Sequence, residues 1–316
     1  MIDINSMKRY TRKRKTFKKQ RIHKRSYKKQ LGGQADDKCI FVHLGGNTKH
    51  LQLGAGFGNQ LFIYAAGLVV KKKLGLPLYL LPSTTNQHSS TDYRYLFKQG
   101  KPVEYADMQG RINASRKIHE GLSMHGTFTD KNIPTNSPKN VTLEGLLYQN
   151  YSNIKSAIPD IRKELLEEFE KKYSGFKDTV VPNATAFMHV RRGDYLIQNR
   201  QLDAEYFNKG LSILNENKEI TTIYVVSDDI KWCKNQKFEE KAVPKKLVYF
   251  NEPDELKTMY LMMLCKGGAV LSRSTFSCWG GFLGPDENPT STIVMPEHFG
   301  SEFSRELMLP ERWKII

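Results

Sequence analysis

The chain alternates short apolar runs with helical segments in both of its halves. In the first half, the run at 39–44 precedes a glycine turn, a helical pattern from Asn59 to about Leu74, and another run at 76–81. A second strand-like run, at 49–53, competes with 39–44 for the central position. The second half continues the alternation: 187–190, 204–215, 220–227, 247–250, 254–265 and 269–272. Strands that alternate with helices form parallel sheets covered on both faces. The sequence predicts an α/β fold whose two halves leave a cleft between them.

The length of 316 residues accommodates two domains of roughly 100–150 residues each. We predict a basic tail at 1–35, an N-terminal domain at 36–175 and a C-terminal domain at 176–316. An amphipathic helix at 157–172 precedes the predicted junction. The sequence contains no run of roughly 20 apolar residues and no signal-peptide core near its start. These features predict a soluble, cytoplasmic protein.

The positive charge is concentrated at the amino terminus. Residues 1–30 contain 13 Lys or Arg and one acid, whereas the other 286 residues carry 36 basic and 32 acidic side chains. Residues 7–30 have almost no aliphatic side chains, so the tail is predicted to be disordered. It could be a solvated arm, a nuclear-localisation signal, or a segment that binds a polyanion or an anionic membrane surface. Any polyanion affinity belongs mainly to this segment.

The four cysteines are scattered, at Cys39, Cys233, Cys265 and Cys278. This spacing argues against a disulfide framework and against a zinc site. The sequence also contains no Asp-x-Asp triplet of the kind that bridges a metal to a nucleotide sugar. We therefore predict that the protein resides in a reducing compartment and that its nucleotide-sugar site contains no metal.

Two adjacent arginines, Arg191 and Arg192, follow the apolar run Thr185–Val190. Open α/β folds hold phosphorylated ligands at the carboxyl edge of the sheet, and guanidinium groups suit phosphate. The segment Ser272–Ser277 also follows a strand and opens a predicted helix, so its amides and hydroxyls can bind an anion. Either motif alone is compatible with an ordinary turn or helix cap. Together they predict a diphosphate site.

The glycine turn at Gly54, Gly56 and Gly58 lies where a dinucleotide-binding turn would lie. It lacks the Gly-x-Gly-x-x-Gly order, and no acid follows the next strand at Leu80 and Leu81. A nicotinamide-dependent oxidoreductase is therefore disfavoured.

Four segments together resemble the α-1,2-fucosyltransferases of glycosyltransferase family 11, in the same order and at similar separations. They are Gly56–Ala65, His189–Tyr195, Ser227–Cys233 and Ser274–Gly280. The resemblance implies a GT-B-like fold of two Rossmann-like domains, the first on the acceptor side and the second binding the nucleotide sugar. It also implies a GDP-fucose donor, a glycan acceptor, inversion at the transferred sugar, and no metal or other cofactor.

The resemblance assigns roles to individual residues. Arg191 would bind the β-phosphate and neutralise the departing GDP, and Asp194 would assist catalysis. The other residues assigned to the donor are His189, Arg192, Gly56, Gly58, Asn59, Ser274, Thr275, Phe276 and Ser277. Asp228 and Asp229 are predicted to cap a helix rather than take part in chemistry.

One position departs from the family pattern. In the family, the helix before the serine-threonine turn carries a Cys, and an Asp stands seven residues before that Cys. Related fucosyltransferases use such an acid to bind the edge of the guanine base. Thr258 stands there before Cys265, whereas Asp254 and Glu255 lie about one turn earlier. We predict that Asp254 or Glu255 substitutes for the missing acid.

The sequence leaves the general base open. Inversion requires an acceptor hydroxyl activated on the face opposite the leaving group, and a carboxylate or an assisting water would serve. Asp194, Asp203 and Glu205 are the candidates, and a loose displacement needs no strong base. Two rival functions remain as well: transfer from a different nucleotide sugar, and polyanion binding on a degenerate transferase scaffold.

Overall fold

The computed structural model describes residues 38–45, 55–83, 91–119, 133, 137, 139–144, 148–297 and 309–316. These lie in one compact unit, Lys38–Ile316. The basic tail and the strand predicted at 49–53 fall outside the described residues. The domain boundary predicted at 175 and 176 stays a prediction.

The first sheet is parallel and has its first strand at the centre. Its strands are β1 (Ile40–His43), β2 (Leu78–Leu81), β3 (Gly100–Pro102), β4 (Arg116–His119) and β5 (Val141–Glu144), in the order β3-β2-β1-β5-β4. β1 pairs with β2 from Ile40 opposite Leu78 and with β5 from Ile40 opposite Val141. β1 is therefore the central strand of this sheet.

The second sheet is also parallel. Its strands are β6 (Thr185–Val190), β7 (Thr222–Ser227), β8 (Lys246–Phe250), β9 (Gly268–Val270), β10 (Thr292–Met295) and β11 (Lys314–Ile315), in the order β11-β10-β9-β6-β7-β8. β6 lies between β7 and β9 and is buried along its whole length. The loops after β6 and β9 therefore leave the sheet side by side, and these loops carry the arginine pair and the serine-threonine turn.

Helices cover both sheets. They are α1 (Phe57–Leu74), α2 (Tyr105–Asn113), α3 (Tyr151–Ile154), α4 (Ile158–Lys172), α5 (Ala204–Glu216), α6 (Ile230–Asn235), α7 (Phe238–Ala242), α8 (Glu255–Leu264) and α9 (Thr275–Leu283). The predicted α/β class with two parallel sheets is confirmed, and this arrangement is GT-B-like. The sequence patterns did not predict β3, β4, β5, β10 and β11.

The start of α1 differs from the prediction. Gly56, rather than Asn59, is the residue before the first turn, and the Gln60 N–H donates to the Gly56 carbonyl at 3.0 Å. Asn59 instead lies inside the helix, where its Oδ1 accepts a hydrogen bond from Gln149 Nε2 at 3.1 Å. The helix ends as predicted at Gly75, in the left-handed conformation that glycine adopts without strain.

One hydrophobic cluster connects the two sheets. It contains Val42 and Leu80 of the first sheet, Phe187 and Ile293 of the second, and α1, α8 and α9 between them. The Phe62 ring of α1 lies 5.2 Å from the Trp279 ring of α9, in an edge-on contact. The sheets therefore share a core, and this core sets where the ends of α1 and α9 meet.

Cys39, Cys233, Cys265 and Cys278 are free and buried. Burial raises the pKa of the Cys39 and Cys233 thiols to about 11, so they remain protonated at neutral pH. In the part of the chain that the structure describes, no helix is long and apolar enough to cross a membrane.

Candidate active site

A cleft of about 740 Å³ opens at the carboxyl ends of the strands in the second sheet, and the start of α1 contributes to its wall. From the first half come Gly56, Phe57, Gly58 and Asn59. From the second half come His189, Arg191, Asp194, Tyr195, Gln198, Arg200, Ser227, Asp228, Phe250, Asn251, Glu252, Pro253, Glu255, Thr258, Ser274, Thr275 and Phe276. Most of the predicted site residues therefore line one cavity.

Two carboxylates hold the Arg191 guanidinium. Its NH2 lies 2.6 Å from Asp194 Oδ1, and its NH1 lies 2.9 Å from Asp228 Oδ2. A guanidinium has five N–H donors, so three remain for a ligand in the cleft. The carboxylates fix the direction of the fork before substrate arrives, which reduces the entropy lost on binding. Asp228 is thus a site residue that the helix-cap interpretation missed, whereas Asp229 is a cap and accepts from the Trp232 N–H at 3.0 Å.

Arg192 lies in a different environment from its neighbour. It is absent from the cleft lining, its guanidinium carbon lies 3.9 Å from the centre of the Trp232 ring, and its Nε is 3.3 Å from Asp229 Oδ2. Contact of this kind stabilises a surface by cation–π attraction and packing. The geometry gives Arg192 a supporting position, and its predicted contact with the donor finds no support in this placement.

The serine-threonine turn forms the start of α9 at the cleft. Ser274 precedes the first turn in an extended conformation, and Thr275 and Phe276 begin the helix. The first N–H groups of a helix have no partner within it and carry the positive end of the helix dipole. Ser277, in contrast, is fully buried and its Oγ accepts from the Ser272 N–H at 3.0 Å. Ser277 shapes the turn from inside, so its predicted contact with the donor is not what the structure shows.

Gly58 brings α1 against α9. A Cβ built at Gly58 would lie 2.5 Å from the Phe276 nitrogen and 2.7 Å from the Thr275 carbonyl carbon. No side chain fits there unless the backbone moves. Glycine is therefore required at position 58 because the starts of α1 and α9 approach each other closely there. This contact sets the width of the cleft.

His189 is the last but one residue of β6 and is almost fully buried. Its Nδ1 lies 2.8 Å from Ser272 Oγ, which fixes the ring beside the serine-threonine turn. Burial, with a smaller effect of the Arg191 charge, lowers the pKa of His189 to about 3. The imidazole is neutral at physiological pH, so it can donate or accept one hydrogen bond in the cleft but adds no charge.

The His189 pKa predicts an acid-dependent loss of stability. The unfolded chain binds a proton near pH 6.5, whereas the folded chain excludes it down to about pH 3. The contribution of His189 to the free energy of unfolding should therefore fall by about 1.4 kcal/mol for each unit that the pH is lowered between pH 6 and pH 4. Urea unfolding of His189→Gln should show a correspondingly shallower pH slope. An identical slope in the variant and the unsubstituted protein would contradict the assignment.

The two adjacent acids proposed to replace the family Asp have different surroundings. Glu255 lines the cleft and accepts a hydrogen bond from the Tyr93 hydroxyl of the first half. Asp254 is the cap of α8, where its carboxylate accepts from the Leu256 N–H at 3.0 Å and from the Tyr173 hydroxyl at 2.6 Å. Asp254 does not line the cleft. Glu252, which the sequence patterns missed, does line it and pairs with Lys257 at 2.9 Å.

Two of the three candidate bases lie outside the cleft. Asp203 caps α5 by accepting from the Tyr206 N–H at 2.9 Å, and Glu205 is exposed and pairs with Lys209. Both line a separate cavity of about 340 Å³. The structure therefore places Asp203 and Glu205 away from the cleft that Asp194 lines. Asp194 is the one of the three that reaches the cleft.

Several lining residues were not predicted: Tyr195, Gln198, Arg200, Phe250, Asn251, Glu252 and Pro253. Phe250 ends β8 and the others follow β6 or β8, so the rule that ligands bind at carboxyl ends of parallel strands would have found them. Among the residues that the structure describes, no group of three His, Cys, Asp or Glu side chains is arranged to hold a metal ion.

The sequence matches the model of Glycosyl transferase family 11 over residues 56–316. The matched region contains the whole cleft lining. The chain belongs to glycosyltransferase family 11. The family resemblance read from four sequence segments is confirmed.

Two curated relatives come from Escherichia coli. The O-antigen biosynthesis glycosyltransferase WbnK is 24% identical over 306 residues, which cover 83% of this chain and 98% of the relative. An alpha-1,2-colitosyltransferase is 26% identical over 132 residues, 40% of this chain and 45% of the relative.

Solved structures with detectable similarity include POFUT1 in complex with GDP-fucose, at 11% identity and a TM-score of 0.47 over 82% of this chain and 98% of that one. The fucosyltransferase NodZ from Bradyrhizobium matches at 10% identity and a TM-score of 0.39 over 79% of this chain and 94% of that one.

Proposed function

We propose that this family 11 glycosyltransferase transfers L-fucose from GDP-fucose to the 2-hydroxyl of a terminal sugar, with inversion and without a metal ion. The observation that carries the proposal is the Arg191 guanidinium, held by Asp194 and Asp228 in the same cleft as the start of α9. The family resemblance of the four motifs supports the GDP-linked donor and the linkage.

The reaction breaks the bond between C1 of fucose and the β-phosphate oxygen, and GDP leaves with the electron pair. Negative charge therefore grows on the β-phosphate in the transition state. Arg191 and the amide groups of α9 are oriented before the reaction, so they stabilise this charge without reorganising. Fixed cations and amide dipoles can in this way do what a divalent cation does in other transferases.

The acceptor hydroxyl attacks C1 from the opposite face and loses its proton as the new bond forms. Asp194 reaches the cleft, but its Oδ1 already binds Arg191 at 2.6 Å. We propose that Asp194 mainly positions Arg191 and that the displacement is loose, with the proton passing to a cleft carboxylate or to water. Asp203 and Glu205 take no part.

Metal independence has a direct test. Transfer should be unchanged, within about twofold, after treatment with EDTA and in the presence of added Mg²⁺ or Mn²⁺, because the leaving group is neutralised by fixed protein charges. The measurement is the initial rate of GDP release in metal-free buffer. A loss of activity on chelation that a divalent cation restores would contradict the proposal.

A donor screen tests the proposed donor. Nucleoside diphosphate release should be fastest with GDP-fucose, and GDP should bind more tightly than UDP or dTDP in calorimetry. Failure of GDP to bind would exclude the donor, and product analysis by NMR would establish the linkage.

A different nucleotide sugar is the second candidate. Thr258, at the position where the family has an Asp, favours a different base, and the relative named as a colitosyltransferase favours a different sugar. A colitose donor therefore belongs in the screen. The third possibility, polyanion binding, is separated by deleting residues 1–30. Loss of nucleic-acid affinity with donor turnover intact would assign that affinity to the tail and the cleft to catalysis.

A further inference from the structure

Most of the charged side chains that line the cleft have an ionic or hydrogen-bonding partner within the folded chain. Arg191 contacts two carboxylates, Glu252 pairs with Lys257, and Glu255 accepts from a tyrosine hydroxyl. Arg200 is different. Among the described residues it has no carboxylate partner, and its polar contact is a long one from NH1 to Gln198 Oε1, at 3.4 Å.

The turn after β6 directs Arg200 back towards the cleft. The Arg200 N–H donates to the Tyr195 carbonyl at 2.9 Å, and Asn199 takes a left-handed conformation with φ of 51°. The Tyr195 ring then lies close to both arginines. Its centre is 5.1 Å from the Arg200 guanidinium carbon and 5.6 Å from that of Arg191. One aromatic ring thus positions two cations in the same cavity.

We infer that Arg200 binds the terminal phosphate of the nucleoside diphosphate together with Arg191. The inference rests on the proposed function in one respect, that the donor is a nucleotide sugar, and it holds whichever base and sugar that donor carries.

The charge balance of the cleft supports this role. Four carboxylates line it: Asp194, Asp228, Glu252 and Glu255. Asp194 and Asp228 offset the charge of Arg191, so Arg191 supplies directed N–H donors but little net positive charge. A diphosphate brings about two negative charges into this environment, and burying them without compensation is costly. Arg200 supplies a cation whose charge no described carboxylate offsets.

The Tyr195 contact makes Arg200 suitable for this task. Stacking on an aromatic ring restricts a long side chain without occupying its N–H donors. Arg200 therefore keeps its fork available for phosphate oxygens, and less entropy is lost when the ligand binds.

The test compares binding of GDP and GMP, which differ by the terminal phosphate. Calorimetry on Arg200→Met should show GDP affinity reduced by about 10- to 100-fold, the range expected for lost charge-assisted hydrogen bonds. GMP affinity should change by less than about threefold. Arg200→Lys keeps the charge but not the planar fork, so its GDP affinity should lie between those of Arg200→Met and the unsubstituted protein.

Lys209→Met is the matched control. It also removes one positive charge from the second half, but Lys209 is exposed, pairs with Glu205 at 2.9 Å and lines the separate cavity. Its GDP affinity should equal that of the unsubstituted protein. Thermal melting of each variant verifies folding.

Unchanged GDP affinity in Arg200→Met would overturn the inference, and so would equal losses for GDP and GMP. A raised KM for the acceptor with normal GDP binding would assign Arg200 to the acceptor instead. The donor proposal has a different failing result, namely that the unsubstituted protein binds another nucleoside diphosphate in preference to GDP. The Arg200 variants are then compared with that diphosphate and the corresponding monophosphate.

Discussion

Arg191→Ala should reduce kcat/KM for transfer by about 1,000-fold or more while the protein remains folded. The guanidinium is placed to stabilise charge on the departing diphosphate, and the loss of one preoriented donor group in such a site costs about 100- to 1,000-fold. The substitution also leaves Asp194 and Asp228 without the cation between them, so two negative charges would then face the diphosphate. Initial rates of GDP release, with circular dichroism as the folding check, measure the effect.

The adjacent arginine provides the control. Arg192→Ala removes the same side chain one residue later, but from the face of Trp232 rather than from the cleft. We expect transfer within about tenfold of the unsubstituted protein, with stability lowered by about 1–2 kcal/mol through the lost stacking. Near-normal activity in Arg191→Ala, or equal losses in the two variants, would refute the assignment of Arg191 to the leaving group.

Gly58→Ala should reduce activity by about 100-fold. Alanine normally favours a helix over glycine, so helix propensity alone would stabilise α1. The new Cβ would instead lie 2.5 Å from the Phe276 backbone nitrogen, and backbone cannot move aside as a flexible side chain can. The starts of α1 and α9 would separate, and displacements of about 1 Å at a catalytic site cost about this much rate. Steady-state kinetics and calorimetric GDP binding measure the change.

Gly110→Ala is the corresponding control, because Gly110 lies in α2 outside the cleft lining and a Cβ there meets no atom within 4 Å. We expect its activity to stay within about threefold of the unsubstituted protein. Equal behaviour of the two alanine variants would show that the contact between the helix starts does not set the geometry of the cleft.

The sequence predicted the parts of the site that follow from strand order. β6 and β9 are neighbours, so the motifs after them had to meet at one sheet edge. Arg191 and the start of α9 are close together for this reason. The periodic segments were also predicted well: α4 and α5 lie within one residue of the predicted bounds.

Side-chain direction after a strand was not predictable in the same way. Arg191 and Arg192 have identical chemistry and adjacent positions, but the turn at Gly193 directs one into the cleft and the other onto Trp232. Asp203 was a candidate base and Asp254 a candidate donor contact, and both are helix caps in the structure. An acid before a helix suits both roles, and only the three-dimensional path of the chain distinguishes them. The middle of the chain lacked a clear period, so β3, β4 and β5 were not foreseen.

The hydrophobic cluster that joins the two sheets restricts how the cleft can open. Swinging one half away from the other would pull Phe62 off Trp279 and Phe282 and expose aromatic surface to water. A hinge motion of that kind would have to break buried hydrophobic contacts, whereas in many two-domain proteins it separates only a solvated interface. Substrate exchange should then depend on local movements at the lip of the cleft, with the walls acting as a fixed frame. The same continuity predicts that the two halves unfold in one cooperative step, because neither can lose its structure without exposing part of the shared cluster.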